Sequence, residues 1–245
     1  MALSLAVNGL DAGYGAVKAL RGVSLHVEAG ETVALLGTNG NGKSTLMKCV
    51  AGLVRPQRGS VSLTIDGTAH DQTTLSAEAI VDLGVALVPE GRRLFPRLTV
   101  LENLMLGAFR KAARRNIDQN LALAFETFPA LKERQGQLAG TMSGGQQQML
   151  AIARELMSSP RLLLIDEPSV GLSPLLVSQT ITKIGELNRN LGLTVLMAEQ
   201  NFNQAIRIAD RGYIIVHGEI VVAANSVDEL KGNDIVKRLY LGGAA

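Results

Sequence analysis

Three short stretches carry residues whose types and spacing suit phosphate chemistry. The first, Gly37-Thr38-Asn39-Gly40-Asn41-Gly42-Lys43-Ser44, reads G-x-x-x-x-G-K-S. An apolar run of strand length, Thr32–Leu36, precedes it, and Thr45–Ala51 follows with the make-up of a first helical turn. This strand–loop–helix setting is what the motif needs to cradle phosphate. Glycines let the backbone curl so that successive N–H groups aim at anionic oxygens. The helix opening there adds its positive dipole end. Lys43 can reach the β- and γ-phosphates of a nucleotide, and the Ser44 hydroxyl can ligate Mg²⁺. A plain Gly-rich turn before a helix is the competing reading, and the full pattern with both flanks disfavours it.

The second stretch is Thr141-Met142-Ser143-Gly144-Gly145-Gln146-Gln147-Gln148, a Gly-containing loop that opens a helix. Free N–H groups and a serine hydroxyl at a helix N-terminus form another anion site. One nucleotide already has its cradle at Gly37–Ser44, so the economical role for a second is to serve the nucleotide of another copy. The third stretch, Leu162-Leu163-Leu164-Ile165-Asp166-Glu167, is a buried strand ending in two carboxylates. Side chains alternate along a strand, so the two carboxylates take different tasks. Alone, such a pair reads equally as the solvated start of a loop.

In this order the three stretches resemble the ATP-binding cassette (ABC) ATPases, and Ser143-Gly144-Gly145-Gln146 looks like that family's signature. The resemblance implies ATP and Mg²⁺ as cofactors and two subunits packed head to tail, the signature of one closing on the γ-phosphate held by the other. Gly37 to Thr45 and Ser143 to Gln146 are then the nucleotide-binding residues. Asp166 holds Mg²⁺ with Ser44, directly or through water. Glu167 orients and deprotonates the attacking water, in keeping with general-base chemistry. Tyr14 fits the aromatic that stacks on adenine, with a core tyrosine beside a turn as the alternative. The implied fold is an α/β phosphate-loop NTPase of ABC type. It has a RecA-like mixed-sheet core, an N-terminal antiparallel β portion and an inserted α-helical subdomain.

Three positions depart from the family pattern. After Val85–Pro89 the family generally has a glutamine that touches Mg²⁺ and its water; here Glu90 stands there, a catalytic and metal-ligating candidate. After the strand Thr194–Glu199 a histidine usually meets the γ-phosphate; here it is Gln200, whose amide can donate but cannot titrate. The loop after Glu167 usually ends in aspartate and here ends in Pro174. Pro89-Glu90-Gly91-Arg92-Arg93-Leu94-Phe95-Pro96 with Glu199-Gln200-Asn201 is similar to the LivF-type ATPases of branched-chain amino acid importers. Ala209–Tyr213 and the terminal Tyr240-Leu241-Gly242-Gly243 fit the same subgroup. Importers of urea or short-chain amides have closely similar ATPases. The resemblance implies transmembrane permease subunits, a second ABC subunit (self or paralogue) and, indirectly, a solute-binding protein as partners. In importers the 90–98 region receives a short helix of the membrane subunit. Phe95, with Arg92, Arg93 and Arg97 around it, is either an exposed anchor for that helix or a core residue of the subdomain.

The elements that must position these groups follow from pattern. Strands are expected at Leu3–Leu10, Leu20–Val27, Ser60–Ile65, Val85–Val88, Leu162–Asp166 and Thr194–Ala198. A turn is expected at Ala12–Gly15, and a hairpin at Tyr213–Ala223 around His217-Gly218. Helices are expected at Leu75–Leu83, capped by Ser76, and at Val100–Arg115, Ile117–Lys132, Gln146–Ser158, Pro174–Leu191 and Phe202–Ala209. Two short helices, Val227–Leu230 and Ile235–Leu241, end the chain. Residues 1–89 and 159–245 are read as the nucleotide-binding core and 90–158 as the helical signature subdomain.

Composition narrows the classes further. The chain has 245 residues, 47% of them hydrophobic, which suits a large core rather than disorder. A net charge of +2 is too mild for a nucleic-acid footprint, so no nucleic-acid partner is expected. The single Cys49 excludes an internal disulfide, fits a reducing compartment, and reads as a small buried hydrophobe. Apolar runs fall short of the roughly 20 residues that span a bilayer, and Met1–Ser4 opens no signal peptide. The expected location is the cytoplasmic face of the inner membrane, held there through permease subunits. A soluble ABC protein acting on ribosomes, an ATP-dependent switch with negligible turnover and a phosphate-loop kinase are the rivals.

Overall fold

A computed structural model describes residues 3–240. The expectations for Met1-Ala2 and for Leu241–Gly243 lie outside the described residues. From the N-terminus come β1 (Leu3–Tyr14), β2 (Val17–Val27), β3 (Thr32–Leu36), α1 (Lys43–Val50), β4 (Arg58–Ile65) and β5 (Thr68–Asp71). Next are α2 (Ala77–Asp82), β6 (Val85–Val88), α3 (Val100–Gly107), α4 (Lys111–Arg115), α5 (Ile117–Thr127), α6 (Pro129–Glu133) and α7 (Gly144–Leu156). The chain then runs through β7 (Leu162–Asp166), α8 (Pro174–Leu191), β8 (Thr194–Glu199), α9 (Phe202–Ala205), β9 (Arg211–Val216), β10 (Glu219–Ala224), α10 (Val227–Gly232) and α11 (Asp234–Tyr240).

Two sheets form. The larger has the order β10-β9-β3-β8-β7-β6, parallel except for β10 at its edge. Its central strands β3, β7 and β8 are buried at every position, as expected of a sheet covered on both faces. Along β3 the side chains divide by alternation. Val33 and Leu35 join one apolar cluster with α1 and the smaller sheet, while Ala34 and Leu36 join another with α3, α7 and α8. The smaller sheet, β2-β1-β4-β5, is antiparallel, and β1 begins with the alternating burial of a half-covered strand. Helix α1 is thus clamped between the sheets by Leu46, Met47 and Val50. Between β6 and β7 the regular elements are helical apart from a single bridge, Thr99 to Leu138. No helix among the described residues is long and apolar enough to cross a membrane.

Register fixes the level of the strand ends. Leu36 of β3 pairs with Glu199 of β8, and Asp166 of β7 pairs with Ala198. The segments that leave β3, β7 and β8 therefore emerge side by side at the carboxyl edge of the sheet, where open parallel sheets bind ligands.

Several element expectations are corrected. Ala12–Tyr14 is not a turn: β1 continues to Tyr14, pairing with Val17, and the bend falls at Gly15-Ala16. Gly13 permits this, since a Cβ there would lie 2.1 Å from the Val17 carbonyl oxygen. The helix expected over Val100–Arg115 breaks after Gly107. Arg110 turns out of the helix and donates to the Ser158 and Asp82 carbonyls, at 3.0 and 2.5 Å. Ile117–Lys132 breaks at Phe128, whose backbone leaves the helical region ahead of Pro129. Phe202–Ala209 is helical only to Ala205, α7 starts earlier than expected at Gly144, and β2 starts at Val17. The four-residue β5 is too short and polar to show in hydropathy. It forms because β4 offers it an edge.

Candidate functional site

The phosphate loop spans the gap between β3 and α1. Gly37 and Gly42 have no room for a side chain: a Cβ would come within 2.6 Å of the Ile215 and Ala19 carbonyl oxygens respectively. Gly42 also has φ +97°, a left-handed turn that glycine adopts without penalty. Asn41 pins the loop from outside, its Nδ2 donating to Thr38 Oγ1 at 2.8 Å and its Oδ1 accepting from the His217 N–H at 2.8 Å. The hairpin between β9 and β10 thereby holds the loop. A cavity of about 370 Å³ lies over it, lined by Asn39–Thr45 with Ala19, Glu90 and Glu167.

Lys43 is buried and its Nζ donates to the Gly37 and Thr38 carbonyls at 2.5 and 3.1 Å. The same Nζ lies 2.8 Å from Glu167 Oε1, both side chains being 4% exposed. Glu167 itself sits at φ +52°, an unusual backbone state for a non-glycine residue of the kind functional sites hold. Its other oxygen, Oε2, accepts from the Gln200 N–H at 3.3 Å. Burial pushes the Asp166 carboxyl above its ordinary range; the neighbouring Ser44 hydroxyl opposes this, and the charges of Glu167 and Glu90 add to it. Asp166 Oδ1 is buried with no hydrogen-bond partner.

Ser44, Asp166 and Glu90 are hard oxygen donors, and the orphaned Asp166 oxygen lies next to the loop. This set fits Mg²⁺, which is usually held by one or two carboxylates together with substrate phosphates rather than by an all-protein cage. Among the described residues no group of three or more His, Cys, Asp and Glu side chains is arranged to hold a metal alone. Tyr14 is half exposed at the end of β1, with Lys48 Nζ 6.0 Å from its ring centre. Glu90 and Gln200 are exposed at the rim.

The Ser143-Gly144-Gly145-Gln146 stretch opens α7. Ser143 is the N-cap: its Oγ accepts from the Gln146 N–H at 3.4 Å, and Gln146 Oε1 accepts from the Ser143 N–H at 3.0 Å. This reciprocal cap sets the loop's shape. Gly145 packs against Leu176, which a Cβ would meet at 2.5 Å. Arg92, in a left-handed conformation at φ +66°, extends its guanidinium past Gly144 to Gln147 Oε1 at 3.4 Å. Phe95 is 53% exposed, so it is not a core residue. Its backbone is fixed by the fully buried Asn103, which accepts from the Phe95 N–H and donates to the Phe95 and Thr99 carbonyls. Cys49 is buried as expected, and burial pushes its thiol up to about 12.

Motif spacing did not single out Asn103 or Ser169; it used Arg92 only as part of the basic surround of Phe95 and Glu199 only as part of a likeness. Their roles come from contacts between distant segments. A second cavity, about 520 Å³, lies away from the loop, between α1, α2, β6 and α7, and its wall is mainly apolar.

Fold and site define a nucleotide-binding cassette of the phosphate-loop type. Residues 20–170 match the ABC transporter family model, and the chain belongs to that family of ATPases. It is 46% identical to the high-affinity branched-chain amino acid transport ATP-binding protein BraG of Pseudomonas aeruginosa, over 94% of this chain and 96% of that protein. It is 33% identical to a probable branched-chain amino acid transport ATP-binding protein, LivF of Archaeoglobus fulgidus, over 95% and 96% of the two chains. Among solved structures, a nucleotide-free ATP-binding cassette from an ABC transporter superposes with a TM-score of 0.82 at 25% identity, covering 99% of this chain and 100% of that one.

Proposed function

We propose that this chain is the ATP-hydrolysing subunit of a membrane importer for branched-chain amino acids. The observation that carries the reading is the near-full-length 46% identity to a branched-chain amino acid transport ATP-binding protein.

Bound ATP–Mg²⁺ supplies the transferable phosphoryl group and the cation that neutralises its charge. Backbone N–H groups of Gly40–Ser44 and the Lys43 ammonium hold the phosphates. Ser44 and Asp166 would hold Mg²⁺ when it is bound with the nucleotide, and Glu90 would stand beside them. Glu167 Oε2, fixed by the Gln200 N–H, accepts a proton from water as that water attacks the γ-phosphorus. The bond to the β-phosphate then breaks, leaving ADP and phosphate. Tyr14 offers the adenine a flat face that discriminates little between bases. Ser143–Gln146 of a second copy or a paralogue closes the other side of the nucleotide.

The permease subunits dock at the 520 Å³ groove, where Leu53 and Phe109 are exposed, and at the loop that presents Phe95. Through them the chain sits peripherally at the cytoplasmic face of the membrane. Affinity purification from native membranes through a tag on this chain tests the reading. Recovery of multi-spanning permease subunits with a second cassette is expected. Ribosomes or nucleic acid without a membrane protein would overturn the transport reading.

A further inference from the structure

We propose that Glu199 is a positioning residue for hydrolysis, its carboxylate clasping the segment that leaves Glu167 to the segment that carries Gln200. Glu199 ends β8 with no exposed surface. Its Oε1 accepts from the Ser169 N–H at 3.0 Å. Its Oε2 accepts from the Ser169 hydroxyl at 2.8 Å and from the Gln200 and Asn201 N–H groups, each at 3.1 Å. Its backbone carbonyl accepts from the Gly37 N–H at 3.3 Å, at the mouth of the phosphate loop. One residue thus touches all three segments that emerge side by side from the sheet.

An apolar side chain would leave the Ser169 and Asn201 N–H groups without this acceptor and the Gln200 N–H with Glu167 alone, and a hydroxyl has too few lone pairs to serve both segments. Burial raises the Glu199 carboxyl, while the Ser169 and Asn201 bonds oppose the rise. The Gln200 N–H is shared between Glu199 Oε2 and Glu167 Oε2. A shift of the clasp therefore moves the carboxylate that faces the water. Glu199 does not reach the nucleotide; it acts through Glu167 and Gln200.

This inference rests on the proposed roles of Glu167 and Gln200. The test is steady-state ATP turnover and ATP affinity of the full chain assembled with its permease, for Glu199→Gln, Ser169→Ala, their combination and Glu167→Gln. Glu199→Gln keeps the shape but turns an amide N–H₂ toward groups that donate. Turnover is expected to fall roughly tenfold to a hundredfold, the scale of a small misplacement, with KM for ATP nearly unchanged. Ser169→Ala gives a smaller loss in turnover, and the combination is no worse than Glu199→Gln alone. Parental turnover in Glu199→Gln overturns the proposal. So does parental turnover in Ser169→Ala if Glu199→Gln fails to fold, or a loss in Glu199→Gln that falls on KM as much as on kcat. Parental turnover in Glu167→Gln overturns the underlying reading instead.

Discussion

Lys43 and Glu167 face each other at 2.8 Å, both side chains almost wholly shielded from solvent. Each limits what the other can lose. Removing the Lys43 ammonium takes away a charge-assisted phosphate contact, typically about 1.5–3 kcal/mol, and leaves Glu167 buried beside the nucleotide. Lys43→Ala is expected to weaken ATP binding by roughly one to two orders of magnitude, read by equilibrium nucleotide titration. Unchanged affinity would remove the phosphate-loop role. Glu167→Gln keeps the acceptor for the Gln200 N–H but not the base, so turnover should drop roughly 10²- to 10⁴-fold while ATP still binds. The residues that bear this chemistry were legible because their spacing along the chain is local: a loop, and a strand end. Glu199 and Arg92 were not legible as contacts, because Ser169 and Gln147 reach them only after the sheet and the helices have assembled.

At the scale of elements, short caps and breaks decide where the site groups fall. Helix α3 begins with a reciprocal cap, Thr99 Oγ1 accepting from the Glu102 N–H while Glu102 Oε2 accepts from the Thr99 N–H at 2.7 Å. The Thr99 backbone bond, helped by its hydroxyl, holds the Glu102 carboxyl below the ordinary 4.5. A carboxylate held low in the folded chain adds stability that is full above its unfolded pKa. That stability is lost as pH falls through the folded value. The melting temperature of the parent should therefore exceed that of Glu102→Gln near neutrality, and the gap should narrow and close as pH falls through and below the lowered Glu102 value. A gap independent of pH would contradict the ionic cap. Glycine sets the neighbouring contact: a Cβ on Gly107 would lie 2.0 Å from the Arg154 carbonyl oxygen, so α3 and α7 meet at backbone distance. Hydropathy located the helices but not the breaks after Gly107 and Thr127. Those depend on this close approach and on the restriction Pro129 places on Phe128.

For the whole molecule, the two-sheet clamp on α1 makes the phosphate loop a rigid feature, while the rim groups Glu90 and Gln200 lie exposed around it. The parallel core, the hairpin at His217-Gly218 and the helical stretch between β6 and β7 were readable from apolar runs and turn residues. The extension of β1 to Tyr14 was not, because its glycines and polar residues look like a turn until β2 pairs with them. The central claim is that hydrolysis at Glu167 drives uptake of branched-chain amino acids. Its most direct test is accumulation of labelled leucine, isoleucine and valine in vesicles containing the assembled transporter, its solute-binding protein and ATP at the face of this chain, parent against Glu167→Gln. The account predicts ATP-dependent accumulation with the parent and none with Glu167→Gln. Parental accumulation with Glu167→Gln, or ATP turnover that moves none of the three amino acids, would contradict it.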